Sequence, residues 1–176
     1  MPFILGALAL LGAAYFWILR ARNTADMTHE LLDVANDVRL AARRFGFRRR
    51  SNQHAVDTIE DPKVAVAALA VSFLELEDYP TAEQKTALIS ALRENLHVSH
   101  SDAEELVILG RWLMGECNGA NPAISRLARK LKKLSGQDHF EPLMKSIQTL
   151  ARFGSGGLSP AQKSALEDLS KAMKIN

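Results

Sequence analysis

The sequence predicts an all-α protein: an N-terminal transmembrane helix followed by a compact bundle of about six short helices. Three observations predict it. Residues 2–19 form an uncharged apolar run long enough to cross a bilayer. Beyond residue 60, helix caps and Pro or Gly breaks recur at roughly 20-residue intervals, leaving helices of about 15 residues. No strand-like alternation bounded by turn residues competes. A chain of 176 residues with 47% hydrophobic and 24% charged residues is long enough for one domain with an appendage, which excludes disorder over most of its length. The single cysteine, Cys117, excludes an internal disulfide and a Cys-rich zinc site. The net charge of +2 hides an asymmetry: residues 1–50 carry eight Arg against four acids, and all nine Lys lie beyond them.

The first element is the run PFILGALALLGAAYFWIL, closed by Arg20 and Arg22. As a helix it covers about 27 Å, close to a hydrocarbon core of about 30 Å. Tyr15 and Trp17 stand where an aromatic belt meets the headgroups. No basic residue precedes the run and bulky residues occupy its end, so an anchor is expected over residues 1–22 rather than a cleaved signal peptide. The Arg excess after it places the N-terminus outside and the C-terminal part in the cytoplasm, making a single-pass inner-membrane protein.

Residues 23–55 read as a juxtamembrane helix and basic linker. Met27, Leu31, Val34, Val38, Ala41 and Phe45 share one helix face, with acids early and arginines late as the helix dipole favours. The stripe suits packing on the protein's own body, and its spacing also permits a short coiled coil and hence a homodimer. Arg43, Arg44, Arg48, Arg49 and Arg50, interleaved with Phe45 and Phe47, suggest binding to anionic lipid headgroups, at about 1 kcal/mol per basic residue. The polar stretch Ser51–Thr58 marks the boundary of the body, residues 56–176.

In the body, Asp61-Pro62 caps a helix whose Val64, Ala67, Ala68, Val71, Phe73, Leu74 and Leu76 form a broad apolar surface, so this helix is expected to be central. Thr81 with Gln84 reads as a capping box opening Leu88, Ile89, Leu92 and Leu96, and Ser101 with Glu104 as another opening Leu106 to Met114. Asn118-Gly119, Ser135-Gly136 and Gly154–Gly157 break the chain, and Pro122 and Pro160 start helices. Thr81–Leu88 and Ser159–Leu166 share Gln-Lys-[Thr/Ser]-Ala-Leu at an offset of 78 residues, each after an apolar helix and a tight turn. Such an echo suggests an internal duplication.

An apolar helix, an acidic or small turn and a [Thr/Ser]-x-x-Gln helix start, repeated late in the domain, resembles the tellurite-resistance TerB-like family over residues 56–176. The resemblance implies a compact all-α bacterial domain with a divalent-metal site where turn and helix carboxylates of both copies converge. This chain departs from that pattern. It has Glu77-Asp78 and Gln84 in the first copy, and Ser155-Gly156 and Gln162 in the second. Hard divalent ions need several oxygen ligands, so Glu77, Asp78 and Glu83 are expected as a weak, unoccupied remnant with no resident cofactor. An anchor before such a domain also resembles membrane-anchored DnaJ-like co-chaperones, but there is no His-Pro-Asp loop and hence no J-domain.

No catalytic set emerges, so the chain reads as a non-enzyme. His97 and His100 lack neighbouring Cys and straddle a helix boundary. Cys117 beside Glu116 reads as an inert thiol, and Gly154–Gly157 follows a helix and lacks the Lys of a phosphate loop. Arg126, Arg129, Lys130, Lys132 and Lys133 make one basic helix face, ordinarily solvated or open to an acidic partner. The function expected is a membrane-anchored cytoplasmic interaction module in a tellurite or envelope stress response, with an unidentified protein partner and no nucleic acid. The alternative is a divalent-metal-binding stress sensor.

Overall fold

The structure, a computed structural model, describes residues 35–48, 52–77, 80–153 and 157–173. Among them are seven α-helices: α1 (residues 35–44), α2 (Pro62–Leu74), α3 (Ala82–Leu96), α4 (His100–Glu116), α5 (Ala120–Ser135), α6 (Phe140–Phe153) and α7 (Pro160–Met173). A 3₁₀ turn, Ala55–Thr58, precedes α2. The chain divides into two units, Met1–Asp37 and Val38–Asn176, and nearly all of the first lies outside the described residues.

α2 is the centre. Its positions from Val64 to Leu74 are all buried, so it has no polar face. A helix apolar on every side must be enclosed by other elements. α4 and α5 flank it most closely, and α6 and α3 close the remaining sides. α3 pairs with α6, and α7 packs on α5. Asp61 caps α2 as the sequence predicts: its carboxylate accepts from the Lys63 amide at 2.8 Å, with Pro62 in the first turn. The one buried hydroxyl on α2, Ser72, donates to the Ala68 carbonyl at 2.7 Å and so is satisfied inside the helix.

α4 reaches α2 through a glycine. A Cβ on Gly110 would stand 3.0 Å from Ala68 Cα and 3.1 Å from Ala68 N. These are backbone atoms and cannot rotate away. α4 also starts earlier than Ser101 and Glu104 suggest. Ser99 is its N-cap and Asp102 completes the capping box, because His97 takes the left-handed conformation (φ 51°) that ends α3 just before. Hydrogen bonds from Ser99 hold the Asp102 carboxyl below its ordinary value of 3.8.

Several sequence expectations are corrected here. Among the described residues no helix is long and apolar enough to cross a membrane. The most apolar of them, α2, spans only about 20 Å against a core of about 30 Å. Residues 2–19 lie outside the described residues. Nothing among the described residues supports the transmembrane anchor, the inner-membrane location with a cytoplasmic C-terminal domain, or the membrane as partner. The arginine cluster is corrected too. Arg44 pairs with Asp102 and, at 2.9 Å, with Glu105, tying α1 to α4 instead of offering a charge to lipid headgroups. Arg43 and Arg48 are exposed; Arg49 and Arg50 lie outside the described residues. The described part of the apolar stripe is used internally, with Ala41 buried and Val38 and Phe45 packed against the core; just after it Phe47 is buried too, its ring edge-on to Trp112 at 5.5 Å. The contacts of its described residues thus favour the protein's own body. The polar stretch before residue 58 is likewise part of the body, since Ala55, Val56 and Thr58 are buried.

Two stability predictions follow from α4. Gly110→Ala should lower the melting temperature, because overpacking costs about 1–3 kcal/mol against a helix-propensity gain of at most about 1 kcal/mol. Gly115→Ala meets nothing within 4 Å and should be neutral or stabilising. The Asp102 contribution should depend on pH. Its folded pKa is lowered, so the stability it adds is complete above the ordinary value of 3.8 and is lost as pH falls through the lowered value. Denaturant melts of the native protein and Asp102→Ala should differ at neutral pH and converge in strong acid.

Candidate functional site

The two capping boxes singled out by the sequence repeat come together. The Thr81 amide donates to Gln84 Oε1 at 2.8 Å, and the Gln84 amide to Thr81 Oγ1 at 3.2 Å. At α7 the Ser159 amide donates to Gln162 Oε1 at 3.0 Å, and the Gln162 amide to Ser159 Oγ at 3.2 Å. With both Oε1 atoms engaged, both Nε2 groups point the same way. Gln84 Nε2 donates to Glu77 Oε2 at 2.7 Å and Gln162 Nε2 to Glu77 Oε1 at 3.1 Å. Gln162 Nε2 also reaches the Phe73 carbonyl at 3.4 Å. Both glutamines are buried, at 1% and 3% exposure, so the donors of these bonds are withdrawn from water while Glu77 is half-buried.

This knot is a cross-link, not a metal site. Glu77, the carboxylate expected to hold an ion, already accepts from an amide on each oxygen. Glu83 is exposed at the start of α3, where hydrogen bonds from its own backbone and from Thr81 keep its carboxyl below the ordinary range. Asp78 lies outside the described residues. Among the described residues no group of three or more His, Cys, Asp or Glu is placed to hold a metal ion. The divalent-metal sensor reading is therefore withdrawn.

The other chemical candidates resolve as follows. His97 ends α3, while His100 opens α4 and faces Glu104 at 3.5 Å, so the two imidazoles serve separate helix ends. Burial pushes the Cys117 thiol up, with Glu116 and Asp57 adding to the effect against Arg126, so it is a protonated thiol at neutral pH. His54 caps the 3₁₀ turn: its Nδ1 accepts from the Val56 amide at 3.2 Å, which leaves Nε2–H to donate to the Glu116 carbonyl at 3.1 Å. That bond fixes the 3₁₀ turn against the end of α4.

The fixed turn completes a basic pocket. Arg126, Arg129, Lys130 and Lys133 lie at i, i+3, i+4 and i+7 on α5, one continuous face. Asp57 from the 3₁₀ turn closes the pocket, whose volume is about 350 Å³. Arg126 donates to Asp57 Oδ2 at 2.9 Å, and Lys130 Nζ donates to the Asp57 carbonyl at 2.7 Å. Asp57, the one acid lining the pocket among the described residues, thus has its side chain and its backbone engaged. Burial holds the Lys130 ammonium below its ordinary pKa and the charge of Lys133 adds to this, while Asp57 and Glu60 oppose both. A cation held down by a neighbouring cation gains when an anion arrives. The basic face was legible in the sequence. Asp57 was not, and its only signal was the apolar trio Ala55, Val56 and Ile59 inside an otherwise polar stretch.

Comparison with protein-family models, with curated proteins and with solved structures finds no match to this chain. The TerB-like resemblance, and with it the tellurite-resistance, stress-response and co-chaperone associations, therefore has no support and is withdrawn. The short signature behind it is accounted for by two capping boxes that meet on one glutamate.

Glu77→Ala should lower stability by about 1–3 kcal/mol, the scale for leaving buried donors unpaired. Gln84→Ala and Gln162→Ala should each be destabilising, and a double-mutant cycle between either one and Glu77→Ala should show coupling above about 0.5 kcal/mol. Additive losses in chemical denaturation would show that the three residues act independently.

Proposed function

We propose that this is a non-catalytic binding domain whose α5 pocket recognises a small phosphate-bearing solute. The observation that carries the reading is the four-cation face of Arg126, Arg129, Lys130 and Lys133 around a cavity whose only acid among the described residues is already engaged. α5 carries no acid at all between Ala120 and Ser135. Like charges at i, i+4 cost an isolated helix a few tenths of a kcal/mol per pair. An incoming phosphate removes that repulsion and offers several strong acceptor oxygens to guanidinium and ammonium donors. Arg126 and Lys130, tethered to Asp57, give the pocket a preset floor, and Arg129 and Lys133 form its exposed rim. Placing charge on a rigid helix lowers the ordering cost of binding.

Titration calorimetry of the full chain with inorganic pyrophosphate tests this. Binding should be measurable at low salt, weaken as salt rises, and fall at least ten-fold in Arg129→Glu/Lys133→Glu. No heat at millimolar pyrophosphate, or binding indifferent to that double charge reversal, would refute the reading.

A further inference from the structure

A second concavity lies on a different pair of helices. α3 and α6 enclose a groove of about 550 Å³. Its α3 wall is made of small side chains, Thr86, Ala87, Ser90 and Ala91, so nothing large fills it. At one end, on α6, stands Phe153, 53% exposed and one of only two large exposed hydrophobic residues among those described. An exposed aromatic ring beside an unfilled apolar groove is the composition of a binding anchor more than of a solvated surface.

Charge decides what fits. Among the described residues, the ionisable side chains lining the groove are both acids, Glu83 and Glu94. They are eleven positions apart on α3, hence about 16 Å, or three helical turns. Glu83 stays ionised because its own backbone amide and Thr81 hydrogen-bond to it at the start of α3. Among the described residues Glu94 pairs with its neighbour Arg93, at 3.5 Å with both side chains largely exposed, a pair worth little in water. A ligand helix lying along α3 thus meets an apolar floor between two negative posts.

We propose that this groove docks a basic amphipathic helix of a partner protein. Its apolar side chains, at i, i+3 or i+4, and i+7, fill the space over Ala87 and Ala91 and stack on Phe153. Lys or Arg residues about three turns apart pair with Glu83 and Glu94. The site is independent of the α5 pocket, and each stands or falls alone.

Fluorescence anisotropy of the full chain with three labelled 16-residue helical peptides tests the proposal. The first carries an apolar Leu stripe flanked by Lys. The second has the same stripe with every Lys replaced by Glu. The third keeps the Lys but replaces Leu by Ser. The first should bind at least ten-fold more tightly than the other two. Phe153→Ala and Thr86→Trp, which remove the anchor and fill the groove, should each weaken it at least five-fold. Glu83→Lys/Glu94→Lys should shift preference toward the second peptide, and Arg129→Glu/Lys133→Glu should leave binding unchanged. Equal affinity for the Lys and Glu peptides, or affinity unaffected by both Phe153→Ala and Thr86→Trp, or no binding of the first peptide at millimolar concentration, would overturn the proposal. Unchanged thermal melts of the variants would assign any loss to the groove.

Discussion

The burial of α2 is the constraint on which the rest of the fold depends. Eleven consecutive positions, Val64–Leu74, are removed from water on every side of the helix. At about 1.5–3 kcal/mol for each fully buried large apolar side chain, no arrangement that leaves one face open competes. Four helices are needed to enclose it, and α3, α4, α5 and α6 all touch it. The small residues of α2, Ala65, Ala67, Ala68 and Ala70, let those helices approach closely, and at Gly110 the Ala68 backbone stands where a side chain would have no room. A helix so enclosed leaves function to the outer surfaces of its neighbours. Both concavities discussed above are there, one on α5 and one between α3 and α6.

The knot at Glu77 closes this enclosure where α2 ends. Three segments distant in sequence, the turn after α2 and the starts of α3 and α7, are tied by two amide-to-carboxylate bonds. The chemistry explains why glutamine serves here. A carboxylate at position 84 or 162 would still accept its own N-cap bond, but it would repel Glu77 and require a cation to hold the three together. The amide keeps the acceptor for the cap and supplies a donor for Glu77. The knot is in this way a self-sufficient cross-link.

Much of this was legible in the residues. The Asp61-Pro62 start, the Thr81–Gln84 box, the breaks at Gly119 and Gly136 and the centrality of α2 rest on local chemistry, which a sequence displays directly. The 78-residue echo identified Gln84 and Gln162 as equivalent, and the structure brings them to one carboxylate. What could not be read were matters of long-range pairing. Arg44 among neighbouring arginines looks like a surface charge until α4 presents Asp102 and Glu105 to it. Asp57 looks like a linker acid until the 3₁₀ turn lies against α5. Ser99 and Ser101 both offer a capping box, and the choice is made by His97 ending α3 in the left-handed conformation. The family resemblance failed for a related reason: a short capping signature recurs wherever helices start, and carries little information about descent.

Native-state hydrogen exchange tests the central position of α2 most directly. If α3, α4, α5 and α6 enclose it, the amides of Val66–Phe73 should be the most protected in the domain. They should exchange only through global unfolding, with opening free energies equal to the denaturant-derived stability. The exposed faces of α3, α5 and α7 should exchange earlier through local opening. Exchange of α2 amides at opening free energies well below the global value, ahead of those neighbours, would contradict the account.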